Sequence, residues 1–249
     1  HCSTRRQRQM CIRDRIMSWK KETTEIKKRR KLAKAQGGKE AIELQHAKGR
    51  LTLRERIELL LDPNSFQEQG EIAGGSGLND EGKLESLTPA NFILGFGKIN
   101  NKQVVVGGED FTVKGGSPNS AGLRKSVYTE ELALKYKIPL IRHHEGGGGS
   151  VAGPVKNSGG YGGDTVFSKS RFKSIADTLK EIPVASAALG PVAGMPAARF
   201  VGSHFRVMTK ETAQILVAGP AVVERACGKK MSKEELGGSE IHKVNGVTD

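Results

Sequence analysis

The segment Ile138-Pro-Leu-Ile-Arg142-His-His-Glu-Gly146-Gly-Gly-Gly149 joins a short apolar strand, predicted over 138 to 142, to four consecutive glycines. A helical pattern from Ala121 to Lys137 leads into this strand. The same order then returns, with a helix near Val166 to Glu181 and a strand from Pro183 to Leu189. Strand, glycine turn and helix that recur, with β-branched strand residues, predict an α/β layered fold rather than a sandwich or a helix bundle.

Elements on either side of this unit fit the same fold. Thr52-Leu-Arg-Glu55 has the spacing of a helix-capping box, and the helix that it opens ends at Asp62-Pro63. Two β-rich runs, 91 to 99 and 104 to 107, flank Asn100-Asn101-Lys102 and predict a β-hairpin. Further elements are predicted toward the C-terminus: a small-residue helix start at 193 to 198, a strand at 205 to 209, a helix near 220 to 226 and a capping box at 232 to 235.

The positive charge of the chain is concentrated at one end. The formal net charge is +13, and residues 1 to 39 contain most of the excess of Lys and Arg, so the remainder is nearly neutral. Trp19 is the single aromatic residue among these basic side chains, whereas many single-strand nucleic-acid sites interleave several. We therefore expect a solvated or partner-facing tail and no nucleic-acid partner.

Three parts of the chain are predicted from composition. Residues 1–16 resemble a non-native leader, 17–39 a basic helical tail, and 40–249 one globular domain. No apolar run approaches the roughly 20 residues that a membrane span needs, so no membrane partner is expected. The three cysteines have neither disulfide-scaffold nor zinc-ligand spacing, which predicts no metal site and favours a cytoplasmic location.

The glycine run is the strongest local signal of chemistry. Consecutive glycines after a strand let the backbone approach a ligand and point N–H groups at an oxyanion or a phosphate. A flexible surface loop is the alternative reading. A phosphate loop of the G-x-x-x-x-G-K-[ST] type is excluded, because no Lys-Ser or Lys-Thr follows the glycines.

Two other glycine segments have a similar arrangement, Leu189 to Gly194 and Asp110 to Ser117. Glycine turns at successive strand ends are expected to line one pocket. The sequence contains no G-x-S-x-G elbow, no H-E-x-x-H motif and no persuasive Cys–His pair. Any chemistry is therefore expected to rest on backbone electrostatics.

A set of blocks in family order resembles the carboxyltransferase (beta) subunits of propionyl-CoA, methylmalonyl-CoA and related biotin-dependent acyl-CoA carboxylases. The blocks are Lys48-Gly-Arg50-Leu-Thr-Leu-Arg-Glu-Arg56 with Leu60-Leu-Asp-Pro-Asn-Ser-Phe66, Asp110-Phe-Thr-Val-Lys-Gly-Gly-Ser117, the glycines at 146 to 149, Gly190-Pro-Val-Ala-Gly194, Ala218-Gly-Pro-Ala-Val-Val223 and Glu235-Leu-Gly-Gly-Ser239. Together they span residues 48 to 239.

The resemblance implies a crotonase-like (ClpP/crotonase) superhelix of repeated ββα units. It also implies a chain of about twice this length, whose first domain binds acyl-CoA and whose second domain handles carboxybiotin. This chain stops about where the first domain ends, so we expect an N-terminal domain that is inactive alone. The implied partners are acyl-CoA, a biotin carboxylase or biotin carrier subunit with the biotin on a separate carrier, and further copies of the full-length subunit.

The resemblance also assigns site residues. Gly146 and Gly147 are the expected catalytic residues, whose N–H groups form the oxyanion hole for the thioester enolate. The expected substrate-binding residues are Gly115, Gly116, Gly148, Gly190, Pro191, Ala193 and Gly194.

The chain departs from the family pattern beside these glycines. His144-Glu145 stands where the family commonly has Asp-Ser, Gly148-Gly149 where it has Ala-Arg, and Gly194-Met195 where it has two glycines. A solvated or hydrogen-bonded histidine pair and a surface Glu145 are the expected readings. Acid–base roles for His143, His144 and Glu145 stay open. The alternative functions that stay open are a hydratase or isomerase, a decarboxylase, a basic-tailed nucleic-acid-binding protein and an assembly module.

Overall fold

The computed structural model describes residues 19–148 and 170–249. In these ranges seven strands form one sheet and two form a smaller one. The strands are β1 Gln67–Glu68, β2 Gly74–Leu78, β3 Leu84–Pro89, β4 Phe92–Ile99, β5 Lys102–Glu109, β6 Leu140–Gly146, β7 Val184–Ala193, β8 Phe205–Met208 and β9 Gln214–Leu216. The order in the large sheet is β1-β4-β5-β6-β7-β8, with β9 beside β7, while β2 pairs with β3.

Helices cover both faces of the large sheet. Those in the described ranges are α1 Lys20–Lys34, α2 Lys39–His46, α3 Leu53–Leu60, α4 Ser120–Tyr136, α5 Arg171–Glu181, α6 Met195–Val201, α7 Pro220–Cys227, α8 Lys233–Gly237 and α9 Ser239–Asn245. A short 3₁₀ turn occupies Lys114–Gly116. None of the described helices has the length and apolarity that crossing a membrane requires.

The strand directions change at the middle of the sheet. β4 and β5 form an antiparallel hairpin, whose turn places Asn100 and Asn101 in the left-handed region that asparagine tolerates. β5, β6 and β7 then run parallel, and the connections from β5 to β6 and from β6 to β7 each contain a helix. Their carboxyl ends therefore meet at one edge of the sheet.

The hydrophobic core lies in layers on the two faces of this sheet. One cluster packs beneath α4, a second beneath α3, and a third beneath α6. Their buried members are, respectively, Phe92, Leu94, Val105, Leu132, Ala133, Leu140, Ile182 and Val184; Leu53, Ile57, Leu61, Ile93, Val104 and Val106; and Ala188, Val192, Ala197, Phe200, Ala213 and Ile215.

The basic helix α1 packs on the small sheet. Lys28 donates a hydrogen bond from Nζ to the carbonyl oxygen of Leu84, and Arg30 and Lys34 both pair with Glu71. Ala33 is buried at this contact. The tail therefore has a defined place on the body, although most of its basic side chains are exposed.

Most predicted elements are confirmed within one or two residues, but the strand predicted over 138 to 142 is Leu140–Gly146 and so ends four residues later. The capping box at Thr52 and Glu55, the hairpin, α4 and the second capping box at Ser232 are all present. Of the helix predicted at 166 to 181 the described part is Arg171–Glu181. The small sheet, α2 and β9 were not predicted, because their sequences carry weak periodicity.

The predicted glycine turn beginning at Leu189 was wrong. β7 continues straight through Gly190 and Pro191 and ends only at Ala193. The strand can continue past position 190 because glycine has no side chain there. A Cβ on this residue would lie 2.5 Å from the carboxyl carbon of Glu145. The glycine is needed for packing between β7 and β6, and the chain turns later, at Gly194.

Candidate active site

The carboxyl ends of β5, β6 and β7 form one rim of the large sheet. Glu109 ends β5, Gly146 ends β6 and Ala193 ends β7. In open α/β sheets, ligands bind outside the carboxyl ends of the strands. This edge is therefore the part of the fold that favours a ligand site.

The first close approach at this edge joins Gly116 to the end of β6. A Cβ on Gly116 would lie 2.6 Å from both the carbonyl oxygen of Glu145 and the Cα of Gly146. Gly116 also has φ +70°, a region that favours glycine. Only a residue without a side chain allows the segment after β5 to touch the glycine run.

The second close approach joins Gly148 to Gly194. A Cβ on either glycine would lie 2.8 Å from the Cα of the other. Gly194 has φ +68° and turns the chain from β7 into α6. The three glycine segments singled out in the sequence are thus in direct backbone contact.

Asn91 holds the outer segment in place. Its Nδ2 donates to the carbonyl oxygen of Gly116 at 2.9 Å, and its Oδ1 accepts from the N–H of Asn119 at 3.1 Å. Asn119 in turn caps α4, where its Oδ1 accepts from the N–H of Gly122 at 2.7 Å. One buried amide therefore fixes both Gly116 and the start of α4.

A small cleft opens between these segments. It lies between α4, α6 and the carboxyl edge of the sheet. Its walls combine glycine backbone, apolar side chains and a few charged groups: Asn91, Phe92, Glu109, Gly116, Pro118, Gly122, Leu123, Ser126, Gly147, Gly148, Arg171, Met195, Pro196 and Arg199.

The predicted site residues fall into two groups around this cleft. Gly116, Gly147 and Gly148 line it, and Gly146 and Gly194 lie directly behind them in contact with Gly116 and Gly148. The other predicted residues lie outside the lining: Gly115 has a positive φ and faces the ring of Phe111, and Gly190, Pro191 and Ala193 belong to β7. Gly149 lies outside the described residues.

Glu145 is the anchor of the glycine run. Its side chain is 1% exposed and its Oε1 pairs with Arg50 at 2.7 Å, while its Oε2 pairs with Arg56 at 2.6 Å. Gln45 donates from Nε2 to both oxygens. The Arg50 guanidinium also lies over the ring of Phe111, 5.0 Å from its centroid.

The expectation that Glu145 is a surface residue was therefore wrong. Alternation along β6 turns its side chain toward α2 and α3, on the opposite face of the sheet from Arg142 and His144. Two guanidinium groups and an amide hold both of its oxygens, so the carboxylate is engaged as a structural ion-pair partner. These contacts of its side chain fix the backbone of Glu145, directly before Gly146.

His144 lies on the cleft side of the sheet and is fully buried. Its Nδ1 is 3.2 Å from Oε2 of Glu109, and its Nε2 is 3.3 Å from Oγ of Ser186. Burial lowers the pKa of His144, and the nearby Arg142 and Arg199 lower it further, so the ring is neutral although Glu109 opposes the shift. The histidine pair is hydrogen-bonded at His144, as one of the two expectations had it, but neither ring is solvated.

His143 points to the opposite face. Burial lowers its pKa to about 4, and the positive charge of Arg56 acts in the same direction. Its Nδ1 is buried, with no hydrogen-bond partner in residues 19–148 and 170–249. His143 is therefore a neutral interior ring.

A second buried ion cluster supports the cleft wall. Glu130 on α4 accepts on Oε1 from Nη2 of Arg142 at 2.5 Å and from Nε of Arg199 at 2.9 Å. Burial lowers the pKa of Arg142 to about 10, while Glu130 opposes this shift. The cluster ties α4 and α6 to β6, and Arg199 reaches the cleft from it.

Residues 44–249 match the carboxyl transferase domain family. This chain belongs to that family. The methylmalonyl-CoA decarboxylase subunit alpha of Veillonella parvula is 33% identical over 215 residues, which are 86% of this chain and 41% of that protein. The propionyl-CoA carboxylase beta chain of Cereibacter sphaeroides is 34% identical over 228 residues, 90% of this chain and 43% of that protein.

The structure agrees with this membership of the carboxyl transferase family. Transcarboxylase 12S, solved with methylmalonyl-coenzyme A and methylmalonic acid bound, superposes with a TM-score of 0.74 at 27% identity. The match covers 93% of this chain and 44% of that one. The fold is thus crotonase-like, and the chain spans about two fifths of the length of the curated relatives that it matches.

Three polar residues that line the cleft were not found from the sequence: Asn91, Glu109 and Arg199. Glu109 carried a usable signal, because a charged residue at the carboxyl end of a parallel strand points to the ligand edge. Asn91 and Arg199 carried none, since their partners are 25 and 69 residues away in the chain.

Proposed function

We propose that this chain supplies the acyl-CoA-binding part of the carboxyltransferase component of a biotin-dependent acyl-CoA carboxylase. The thioester of the acyl-CoA lies in the cleft, and the backbone N–H groups of Gly146 and Gly147 hold its carbonyl oxygen. That oxygen becomes negative when the α carbon loses a proton, and fixed N–H donors stabilise such an anion.

One observation carries this proposal: three glycine segments from separate strand ends meet around a single cleft. Glycine pairs Gly116–Gly146 and Gly148–Gly194 bring backbone within reach of a ligand where any side chain would block it. The Glu145 clamp, formed with Arg50, Arg56 and Gln45, holds the strand end before these glycines in one position. A preorganised backbone site is what stabilisation of an enolate requires.

The carboxyl group itself is proposed to come from outside this part of the protein. Biotin, attached to a separate carrier protein or domain, carries that group to the acyl-CoA. We assign the described cleft to the thioester because its lining combines glycine backbone with apolar side chains. It has no feature among the described residues that we assign to a biotin ring.

Partners and location follow from the same proposal. We propose a biotin carboxylase or biotin carrier subunit and further copies of the full-length subunit as partners. A cytoplasmic location is proposed because Cys227 is a free, exposed thiol, which suits a reducing compartment.

A decarboxylase is the second candidate, because one relative at 33% identity is a methylmalonyl-CoA decarboxylase subunit. It would use the same oxyanion site, since loss of CO₂ from a carboxylated acyl-CoA leaves the same enolate. A hydratase or isomerase resting on Glu145 is disfavoured, because such chemistry needs a free carboxylate and Glu145 is held by Arg50, Arg56 and Gln45.

Titration of the ¹⁵N-labelled chain with propionyl-CoA tests the proposal. We expect the largest amide shifts at Gly146 and Gly147, further shifts at the cleft residues Gly116, Gly148 and Met195, and smaller shifts with free CoA, because CoA lacks the thioester. Titration with propionate and CoA added separately is the control. The proposal fails if millimolar propionyl-CoA shifts none of these amides, or shifts only amides remote from the cleft.

A further inference from the structure

Among the residues in 19–148 and 170–249 that line the cleft, Glu109 is the one with a carboxylate. It is the last residue of β5, it pairs with Phe92 across the hairpin, and both side chains line the cleft. A Cβ on Gly146 would lie 3.1 Å from the Cβ of Glu109, so the carboxylate is rooted beside the proposed oxyanion glycine. Its side chain is 5% exposed.

Only one oxygen of Glu109 is engaged by the described residues. Oε2 accepts from Nδ1 of His144, whereas Oε1 accepts no hydrogen bond from any of them. This distinguishes Glu109 from Glu145, whose two oxygens are both saturated. A carboxylate in a ligand cleft with one free oxygen can accept a proton from a bound molecule.

The groups behind Glu109 form a hydrogen-bonded chain into the interior. Because the His144 ring is neutral and donates from Nδ1, its Nε2 accepts from the hydroxyl of Ser186. Ser186 is in turn 2.7 Å from the hydroxyl of Ser203. Each of these groups is buried, so the chain fixes the orientation of the carboxylate and leaves its free oxygen as the reactive end.

Nearby charge keeps the carboxylate ionised. Burial by itself raises the pKa of Glu109, but His144, Arg142 and Arg199 together hold that pKa below its usual range. Arg199 remains on the cleft wall, tied to Glu130. At neutral pH the cleft therefore contains a fixed, negatively charged proton acceptor.

We propose that Glu109 is a catalytic residue that removes and returns the α-proton of the bound acyl thioester, so that this site enolises acyl-CoA without biotin. The inference rests on the proposed function, because it needs acyl-CoA in the cleft. The α C–H bond breaks, the proton bonds to Oε1 of Glu109, and the electron pair passes into the enolate held by the glycine N–H groups. Reversal regenerates the thioester, and in D₂O the returning nucleus is a deuteron.

Deuterium exchange measures this activity directly. The 249-residue chain is incubated in D₂O with propionyl-CoA and no biotin, and loss of the α-methylene signal is followed by ¹H NMR. We expect exchange faster than in buffer alone and one deuteron per molecule at first by mass spectrometry, because a fixed base faces one side of the α carbon. No exchange, or equal exchange of both protons, overturns the proposal.

Variants separate catalysis from structure. Glu109→Gln should slow exchange about a hundredfold, the lower range of general acid–base contributions, with the propionyl-CoA dissociation constant little changed. Glu109→Asp keeps the charge beside Arg142 and Arg199 but shortens the side chain, so exchange should also slow. Wild-type exchange by either folded variant overturns the role of Glu109.

Asp110→Asn is the matched control, since Asp110 is the adjacent buried carboxylate, bonded to Thr112 away from the cleft. It is expected to exchange at the wild-type rate. A loss of exchange in this variant equal to that in Glu109→Gln would show a general structural effect and contradict the assignment. Binding of propionyl-CoA without exchange defeats this inference alone, whereas absence of both defeats the proposed function as well.

Discussion

Gly147 is the residue whose substitution should affect the proposed chemistry most. In an active carboxyltransferase that contains this chain, Gly147→Ala should lower kcat far more than it raises KM. Alanine keeps the N–H, but its methyl group adds bulk at the cleft that Gly147 lines, and we expect it to displace the thioester oxygen from that donor. The N–H serves an oxygen whose charge develops during the reaction. Loss of one such donor costs about 2.7–4 kcal/mol, roughly a hundred- to thousandfold in rate. Steady-state kinetics with circular dichroism checks this.

Gly75→Ala is the control for that variant. Gly75 lies in the small sheet, where a Cβ would have no atom within 4 Å, and it does not need a positive φ. Its replacement should leave both kinetic constants unchanged. A folded Gly147→Ala enzyme with wild-type kcat would show that Gly147 has no part in catalysis and that the glycine run is a plain loop.

Glu145 should matter for stability more than its size suggests. Glu145→Ala leaves Arg50 and Arg56 buried without their counter-charge. Breaking a buried ion pair from one side costs about 3–5 kcal/mol, which urea unfolding would register. The exposed pair of Lys137 and Glu181 provides the contrast, because Glu181→Gln should have a far smaller effect on unfolding. Equal losses in the two variants would contradict the clamp.

Strand β7 gives a test at the level of elements. Gly190→Ala places a methyl group against the Glu145 carboxyl group, so β7 and β6 must separate or the clamp must shift. Overpacking of this kind costs about 1–3 kcal/mol. Thermal and urea unfolding should show the loss, and Gly75→Ala should not. Unchanged stability of Gly190→Ala would mean that Glu145 does not pack against β7.

The elements also show what the sequence can predict. α3 was located correctly because its capping box and its apolar face are close together in the chain. β7 was predicted too short, since glycine and proline usually interrupt strands and only the packing of Glu145 explains Gly190. The hydrogen bond from Gln45 to Glu145 spans 100 residues, so no local pattern could have indicated it.

The candidate site divides in the same way. The three glycine segments were found from their own composition, because glycine after a strand is a local signal. Glu109, Asn91 and Arg199 were missed, since a polar residue in a strand or helix gains its meaning only from the elements packed against it. The membership of a family came from the order of whole blocks, which survives when single residues differ.

For the whole molecule, the buried histidines predict loss of stability in mild acid. The pKa of His143 is about 4 when folded, against an ordinary value near 6.5, so the unfolded chain binds a proton first as the pH falls. The titration of His143 therefore leaves the free energy of unfolding unchanged above about pH 6.5. It lowers that free energy between this pH and about 4. At about 1.4 kcal/mol per pKa unit, the loss is on the order of 3 kcal/mol.

Urea unfolding at pH 7 and pH 5 measures that decline. His143→Gln should be less sensitive to pH than the wild type, because the protonation that favours the unfolded chain is gone. His144 remains in the variant and keeps part of the slope, since its pKa is also lowered by burial. An identical pH dependence in the two proteins would show that His143 is not buried neutral.

The backbone N–H groups of Gly146 and Gly147 are proposed to polarise the thioester carbonyl of a bound acyl-CoA. Isotope-edited infrared spectroscopy of [1-¹³C]propionyl-CoA reports that polarisation, because hydrogen bonds to the oxygen weaken the C=O bond. The glycine site predicts a carbonyl stretch at lower frequency in the complex than in water, with a smaller shift in Gly147→Ala. A bound thioester whose carbonyl stretch has the same frequency as in water would contradict the assignment of the oxyanion site to Gly146 and Gly147.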